Sequence, residues 1–210
     1  MEDLILIGAG GHAKACIDVI EAQGAYRIRG LLDRPERVGE MFLGYPLVGT
    51  DQEIEAHVGL GHLFLVTLGQ ILNPEPRAQL YGRIKAAGGK LATPVSPWAR
   101  VSPHAWVGEG TIVMHQSMVG PGAKVGVNCI LNSGALVEHD CVVGDFCHLS
   151  TGVILNGAVK VGGKSFVGSR SVYEQGIETP DQVVIPMGSV VYVTQSGLLK
   201  VHPIGMRYGQ

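Results

Sequence analysis

The sequence predicts two folds in series: an α/β domain of Rossmann-like βαβαβ order over residues 1–90, then a left-handed parallel β-helix of hexapeptide repeats over residues 91–193, with a tail over residues 194–210. Three observations predict this. Every sixth residue from Val101 through Val107, Val113, Val119, Val125, Leu131, Val137, Val143, Leu149, Leu155, Val161 and Val167 is a branched aliphatic. Two positions before these sits a series of small side chains, among them Ala105, Ala123, Cys129, Ala135, Cys141 and Cys147. Ahead of position 90 the pattern changes to short apolar runs that end in glycine or polar residues and alternate with helical spacing. A fixed short period marks a solenoid, because one unit cannot bury its apolar face without stacking on the next. With three hexads per triangular coil the aliphatics point into a prism, and about sixteen hexads make about five coils around one continuous core.

In chain order, Leu4 to Ile7 reads as a strand that ends in Gly8-Ala9-Gly10-Gly11-His12-Ala13-Lys14, and Ala15 to Ile20 continues with helical spacing. Strand, glycine turn and helix in that order aim backbone N–H groups outward at a helix amino end, a seat for phosphate. Ile28 to Leu32 forms a second strand closing on Asp33, and His62 to Leu68 a third closing on Gly69-Gln70. Open parallel sheets bind ligands at such strand ends. A helix from Pro76 to Ala87, with Leu80 and Ile84 on one face, ends at Gly88-Gly89-Lys90, and Pro94, Pro97 and Pro103 mark the passage into the solenoid. Gly8, Gly10 and Ala13 fit the dinucleotide fingerprint, and Asp33 lies about where a ribose-binding acid is expected. Three strands are half of what a dinucleotide crevice uses, and no hydride-transfer domain follows. A mononucleotide or nucleotide-sugar site is therefore preferred, ahead of a purely structural turn and of an NAD site.

A net charge of −2 with 16% charged residues leaves no basic patch for nucleic acid. The amino terminus lacks the basic flank and cleavage site of a signal peptide, and no apolar run reaches the length of a membrane span, so a cytoplasmic location is expected. Cys129, Cys141 and Cys147 fall in the small-residue series, where cysteine acts as a small hydrophobe and needs no disulfide.

The chemistry is expected where the repeat breaks. The position after each aliphatic divides into three columns, one per corner of the prism. Gly108, Gly126, Gly144 and Gly162 keep the glycine; Met114, Asn132, Ser150 and Gly168 form the second column, and Gly120, Glu138, Asn156 and Glu174 the third. His139 lies between Glu138 and Asp140, and Gly157 occupies its place one coil further on. Parallel strands stack about 4.8 Å apart, so the Gly157 amide comes close to whatever touches the imidazole. A base, a carboxylate that holds its tautomer and a bare amide suit acyl transfer: the imidazole takes a proton from an amine or hydroxyl, and the amide receives the oxyanion. On spacing alone, a histidine at a solvent-facing corner is more often a surface residue. The same applies to His148, which points out of the coil, while His104 and His115 read as surface residues. The separations of His115, His139 and His148 do not match the zinc ligands of trimeric carbonic anhydrases of this architecture, so no metal is expected.

The glycine turn, the solenoid, and above all the segment from Asn132 to Cys141 with Phe146-Cys147-His148-Leu149-Ser150 downstream resemble bacterial sugar acyltransferases of the NeuD/PglD group, over residues 1 to about 192. That group includes N-acetyltransferases of UDP-4-amino-sugars and O-acetyltransferases of sialic acids. The resemblance implies homotrimers, with acetyl-CoA along the solenoid in the cleft between neighbouring subunits. It implies His139 as general base, assisted by Glu138 or Asp140, with His148 and Gly157 at the thioester and Ser150 and Asn156 as further acetyl-CoA contacts. Asn132 is placed near the acceptor sugar, and Gly10, Gly11, His12, Asp33 and Gly69 around the nucleotide.

The sequence departs from the group in two places. Many members carry two acids where this chain has Asp33-Arg34, and the last coils replace regular pairs with Tyr173, Thr179 and Ile185-Pro186-Met187. The usual closing Gly-x-Pro-Ala-Lys segment is replaced by the tail, and Pro180, Pro186 and Pro203 are expected to loosen or cap the solenoid edge. The expected activity is acetyl-CoA-dependent N-acetylation of the amine of a UDP-type nucleotide-linked 4-amino-sugar for surface glycans. O-acetylation of a sialic or related nonulosonic acid is the alternative within the class. An NAD-binding oxidoreductase and an inactive nucleotide-sugar-binding scaffold are the alternatives outside it.

Overall fold

The computed structural model describes residues 1–203. The amino-terminal elements are β1 (Glu2–Ile7), α1 (Gly11–Gln23), β2 (Tyr26–Leu32), β3 (Met41–Phe42), β4 (Tyr45–Gly49), α2 (Ile54–Gly59), β5 (Leu63–Val66), α3 (Glu75–Ala86) and β6 (Lys90–Leu91). The sheet order is β3-β4-β2-β1-β5-β6, with only β3 antiparallel to its neighbour. As the central strand, β1 is buried on both sides: Leu4 and Leu6 pack into one apolar cluster, Ile5 and Ile7 into another. The strand count expected from sequence is thus corrected. Five parallel strands are present rather than three, and the strand-count objection to a dinucleotide crevice falls with it. The missed elements are short or broken: β3 and β6 hold two residues each, β4 carries Pro46, and α2 spans six residues. None is long enough to show a period.

From Arg100–Val101 to Val184–Ile185, two-residue parallel strands recur and pair one coil on, Met118 with Leu136 and Leu136 with Ile154. They form three ladders, the three faces of a prism. Val119, Val137 and Leu155 fill its interior, and Cys129, Cys141 and Cys147 are buried there as free thiols. The irregular last coils keep register: Tyr173 stacks between Leu155 and Val191, and Thr179 and Ile185 are also buried. The last full strand, Ser189–Val193, is covered by an antiparallel return, Leu199–Pro203, so one sheet edge ends in a paired strand. The remainder of the tail, residues 204–210, lies outside the described residues.

The three faces differ. Ile112, Met114 and Ile130 cluster with Leu4, Leu6 and Ile17, so the amino-terminal sheet and α1 sit on one face. The second presents a ladder of Met118, Leu136, Ile154, Val172 and Val190, with Met118 exposed and the other four half-buried. The third mixes Trp106, Val142, Lys124, Lys160 and Glu178. Arg77 of α3 fastens the two units. Its buried guanidinium donates to the carbonyls of Val66 and Leu68 at 2.7 and 2.6 Å, and to the carbonyl and side-chain oxygens of Asn128 at 2.9 and 2.8 Å. Burial lowers its pKa to about 10, and the four acceptors hold the charge in place of a carboxylate. Among the described residues no helix is long and apolar enough to cross a membrane.

Candidate active site

Glu138, His139 and Asp140 make the turn that follows Leu136–Val137. Asp140 has φ +60°, a left-handed conformation that aspartate tolerates better than most residues. Its Oδ2 lies 2.9 Å from Nδ1 of His139. A carboxylate can only accept, so Nδ1 carries the hydrogen and Nε2 of the neutral ring is bare. Glycines clear the space for the pair. A Cβ on Gly122 would come to 2.5 Å from Asp140 Oδ1, one on Gly120 to 2.8 Å from the His139 amide nitrogen, and one on Gly157 to 2.5 Å from His139 Nε2. The imidazole side chain is 52% exposed. The sequence leaves open which acid serves His139. Asp140 makes the contact, and Glu138 forms no side-chain hydrogen bond or ion pair among the described residues.

A second group lies at the seam between the two units. His148 points out of the prism, but the amino-terminal unit covers it. Its Nδ1 donates to the Gln70 carbonyl at 2.6 Å, its ring meets Phe166 edge-on at 5.2 Å, and Nε2 lies 3.4 Å from Asn132 Nδ2. Burial, with help from the Arg77 charge, holds its pKa below the ordinary histidine value against the opposing pull of the Gln70 carbonyl. Gln70 is itself pinned, its side-chain amide donating to the Phe146 carbonyl at 2.8 Å. Ser150 and Asn156 are engaged between coils: Ser150 Oγ meets Ser169 Oγ at 2.9 Å, and Asn156 Nδ2 donates to the Tyr173 carbonyl at 2.6 Å. His115, expected at the surface, bridges the units instead, with Nδ1 2.7 Å from Ser96 Oγ and Nε2 2.7 Å from Asp18 Oδ2 on α1.

The glycine turn opens toward solvent. Gly10 caps α1 without a side-chain hydrogen bond, and a Cβ on Gly10 or Gly11 would meet nothing within 4 Å. The first amides of α1 are therefore free to face an anion. His12 departs from expectation. Its Nε2 lies 3.4 Å from Cys16 Sγ and its ring 6.4 Å from that of His148, so the imidazole packs into the seam. Burial first, then the Arg77 and His148 charges, drive its pKa to about 3, leaving it neutral. Gly69 sits beside it, with room for a side chain at ordinary contact with His12 Cβ. Asp33 also differs from a free ribose ligand, since both carboxylate oxygens already accept hydrogen bonds from the chain. Between the strand ends lies a cavity of about 270 Å³, walled by Ile7, Leu32, Leu68 and Leu80 on its apolar side and by Asp33, Arg34, Thr50, Asp51 and Gln52 on its polar side.

Asn132 and Ser150 stand at one edge of the apolar face of Met118, Leu136 and Ile154, Glu138 and His139 at the other. No hydrogen bond or ring contact joins the two groups among the described residues.

Residues 3–84 match the family model described as the PglD N-terminal domain. Across nearly the whole chain, the structure of the acetyltransferase domain of PglB from Neisseria gonorrhoeae FA1090 is 31% identical, with a TM-score of 0.85, covering 91% of this chain and 92% of that one. The chain belongs to the NeuD/PglD family of sugar acyltransferases. The same PglB domain in complex with acetyl coenzyme A aligns at 30% identity and a TM-score of 0.81, covering 90% of this chain and 95% of that one. PerB from Caulobacter crescentus in complex with CoA and GDP-perosamine is 28% identical, with a TM-score of 0.80, covering 96% and 97% of the two chains. UDP-N-acetylbacillosamine N-acetyltransferase of Bacillus subtilis (strain 168) is 32% identical over 119 residues, 54% of this chain, and the match spans about half (52%) of that relative's length. In this NeuD/PglD member, the sequence did not reveal the seam residues Arg77, Gln70 and Asn128. One signal was available: Arg77 lies on the face of α3 that also carries Leu80 and Ile84, a charge on an apolar stripe.

Proposed function

We propose that this chain transfers the acetyl group of acetyl-CoA to the amine of a nucleotide-linked 4-amino-sugar of the UDP type, in the cytoplasm, for surface glycan assembly. The observation that carries this reading is the His139–Asp140 pair, exposed at a corner with Nε2 bare above Gly157. The amine nitrogen attacks the thioester carbonyl while Nε2 removes its proton, and Asp140 stabilises the imidazolium that forms. The Gly157 N–H, which has no hydrogen-bond partner among the described residues, is assigned to the developing oxyanion. Collapse of the tetrahedral intermediate expels the CoA thiolate, and the proton on His139 passes to it. The complexes of PglB with acetyl coenzyme A and of PerB with CoA and GDP-perosamine support the donor and the substrate class.

A homotrimer is part of the proposal. The ladder Met118, Leu136, Ile154, Val172 and Val190 is a continuous apolar stripe, and burying it between copies is favourable at about 25 cal/mol per Å². Because His139 stands at one edge of this face and Asn132 at the other, packing such faces brings the base of one copy toward the seam of the next. The test is an acetyl-transfer assay with acetyl-CoA against a UDP-linked 4-amino-sugar, a GDP-linked one and a sialic acid side by side. Turnover of the UDP-linked amine that His139→Ala abolishes supports the reading. Turnover of the sialic acid alone, or undiminished activity in His139→Ala, refutes it.

A further inference from the structure

We propose that Asp33 and Arg37 form a bracket around the Ala9 peptide that presets the glycine turn for a diphosphate, and that Asp33 is not a ribose ligand. The inference rests on the nucleotide-linked substrate proposed above. The peptide units of Ala9 are gripped at both polar ends. Its N–H donates to Asp33 Oδ2 at 2.6 Å, and its carbonyl accepts from Arg37 Nη1 at 3.0 Å. The same Nη1 lies 3.0 Å from Asp33 Oδ2, which closes a ring of three contacts. The second carboxylate oxygen accepts from the Arg34 N–H at 2.7 Å. Asp33 is 13% exposed at its side chain, so little of the carboxylate is left for a hydroxyl.

Arg37 is held as firmly. It ends a short turn that starts at Pro35, its Nε donates to Glu40 Oε2 at 3.0 Å, and its guanidinium lies 5.8 Å from the centre of the Phe42 ring. Next to the bracket Gly8 has φ +105°, and a Cβ there would come to 2.5 Å from Leu68 Cδ2, so only glycine fits. The turn is thus fixed from both sides just before Gly10 and Gly11, whose surroundings are open. Within the bracket the charges of Asp33 and Arg37 cancel. The seat attracts a diphosphate through aligned amides rather than net charge, and needs those amides held in direction. An acid at this position in a dinucleotide fingerprint reads the ribose 2′-hydroxyl. Here the acid faces the turn, so the 2′-hydroxyl is left unread.

Equilibrium binding by calorimetry to the full chain tests this, with UDP, 2′-deoxy-UDP and GDP as probes. The wild-type chain is expected to bind UDP and 2′-deoxy-UDP within about threefold of each other, since no charged hydrogen bond to the 2′-hydroxyl is lost. Asp33→Asn and Arg37→Met are expected to weaken both by about tenfold or more and by equal factors, with Arg37→Lys in between, because a single ammonium reproduces only part of the bracket. Circular dichroism and thermal unfolding identify any variant that fails to fold, and the wild-type comparison needs no variant. A wild-type chain that binds 2′-deoxy-UDP tenfold more weakly, with Asp33→Asn erasing the difference, makes Asp33 a ribose ligand and overturns the proposal. So does unchanged UDP affinity in a folded Arg37→Met. If neither UDP nor GDP binds, the nucleotide-linked substrate itself is wrong and the bracket's role goes with it, a signature distinct from the other two.

Discussion

Replacing Gly157 by alanine perturbs the base without altering any group that does chemistry. A Cβ at this position would lie 2.5 Å from Nε2 and 2.6 Å from Cε1 of His139, where ordinary contact begins at 3.4 Å. Gly157 does not use a positive φ, so alanine adds no backbone strain, and the ring must yield by about 1 Å. A displacement of about 1 Å at a reacting group costs about a hundredfold in turnover, or about 2.7 kcal/mol of barrier. Folding should hardly notice. The His139 side chain is half exposed and can swing toward solvent, which limits the stability loss to about 1 kcal/mol or less. The assay follows thiol release from acetyl-CoA at saturating amino-sugar, with thermal unfolding and UDP binding as controls. A Gly157→Ala chain that keeps wild-type kcat shows that the ring over Gly157 is not the working base.

Removing the base outright, in His139→Ala, should lower kcat by about two to four powers of ten with little change in melting temperature; a loss under tenfold contradicts general-base catalysis. Because Asp140 rather than Glu138 touches the ring, Asp140→Asn should reduce kcat by up to about tenfold and Glu138→Gln by less than about twofold. The reverse order in the same steady-state assay would transfer the supporting role to Glu138. His12 makes stability depend on pH: its folded pKa of about 3 lies below the ordinary 6.5, so the unfolded chain binds the proton that the native one refuses. Its contribution is complete above about pH 6.5 and declines as pH falls toward 3, by roughly 1.4 kcal/mol per pH unit. Urea midpoints should therefore drop from pH 7 to pH 5 more steeply for wild type than for His12→Asn, and parallel slopes would refute the assignment.

The prism was legible because its period is written in branched aliphatics at fixed intervals, and interior packing admits little else. Even Tyr173 and Thr179, which break the pattern, stay in register because the coils above and below dictate the spacing. The His139 corner was legible for the complementary reason: a histidine and two acids where the preceding coil has Gly120-Pro121-Gly122 need an explanation other than packing. The seam was not. His148 looks exposed in any local window, and what covers it includes the loop after β5 some eighty residues away, where the Gln70 carbonyl accepts from its ring. Asp33 and His12 show the same limit. Motif spacing predicts where a side chain starts, while Arg37, Cys16 and Arg77, drawn in by tertiary contacts, determine what it faces.

The side chains of His139 and Asp140 belong to a turn and contribute nothing to the filling of the prism, which Val137 and Cys141 on either side provide. Reactivity and robustness are thereby written in separate letters of the same hexad. A lineage can rewrite the corner, trading one acceptor for another, while the spine it hangs from stays untouched.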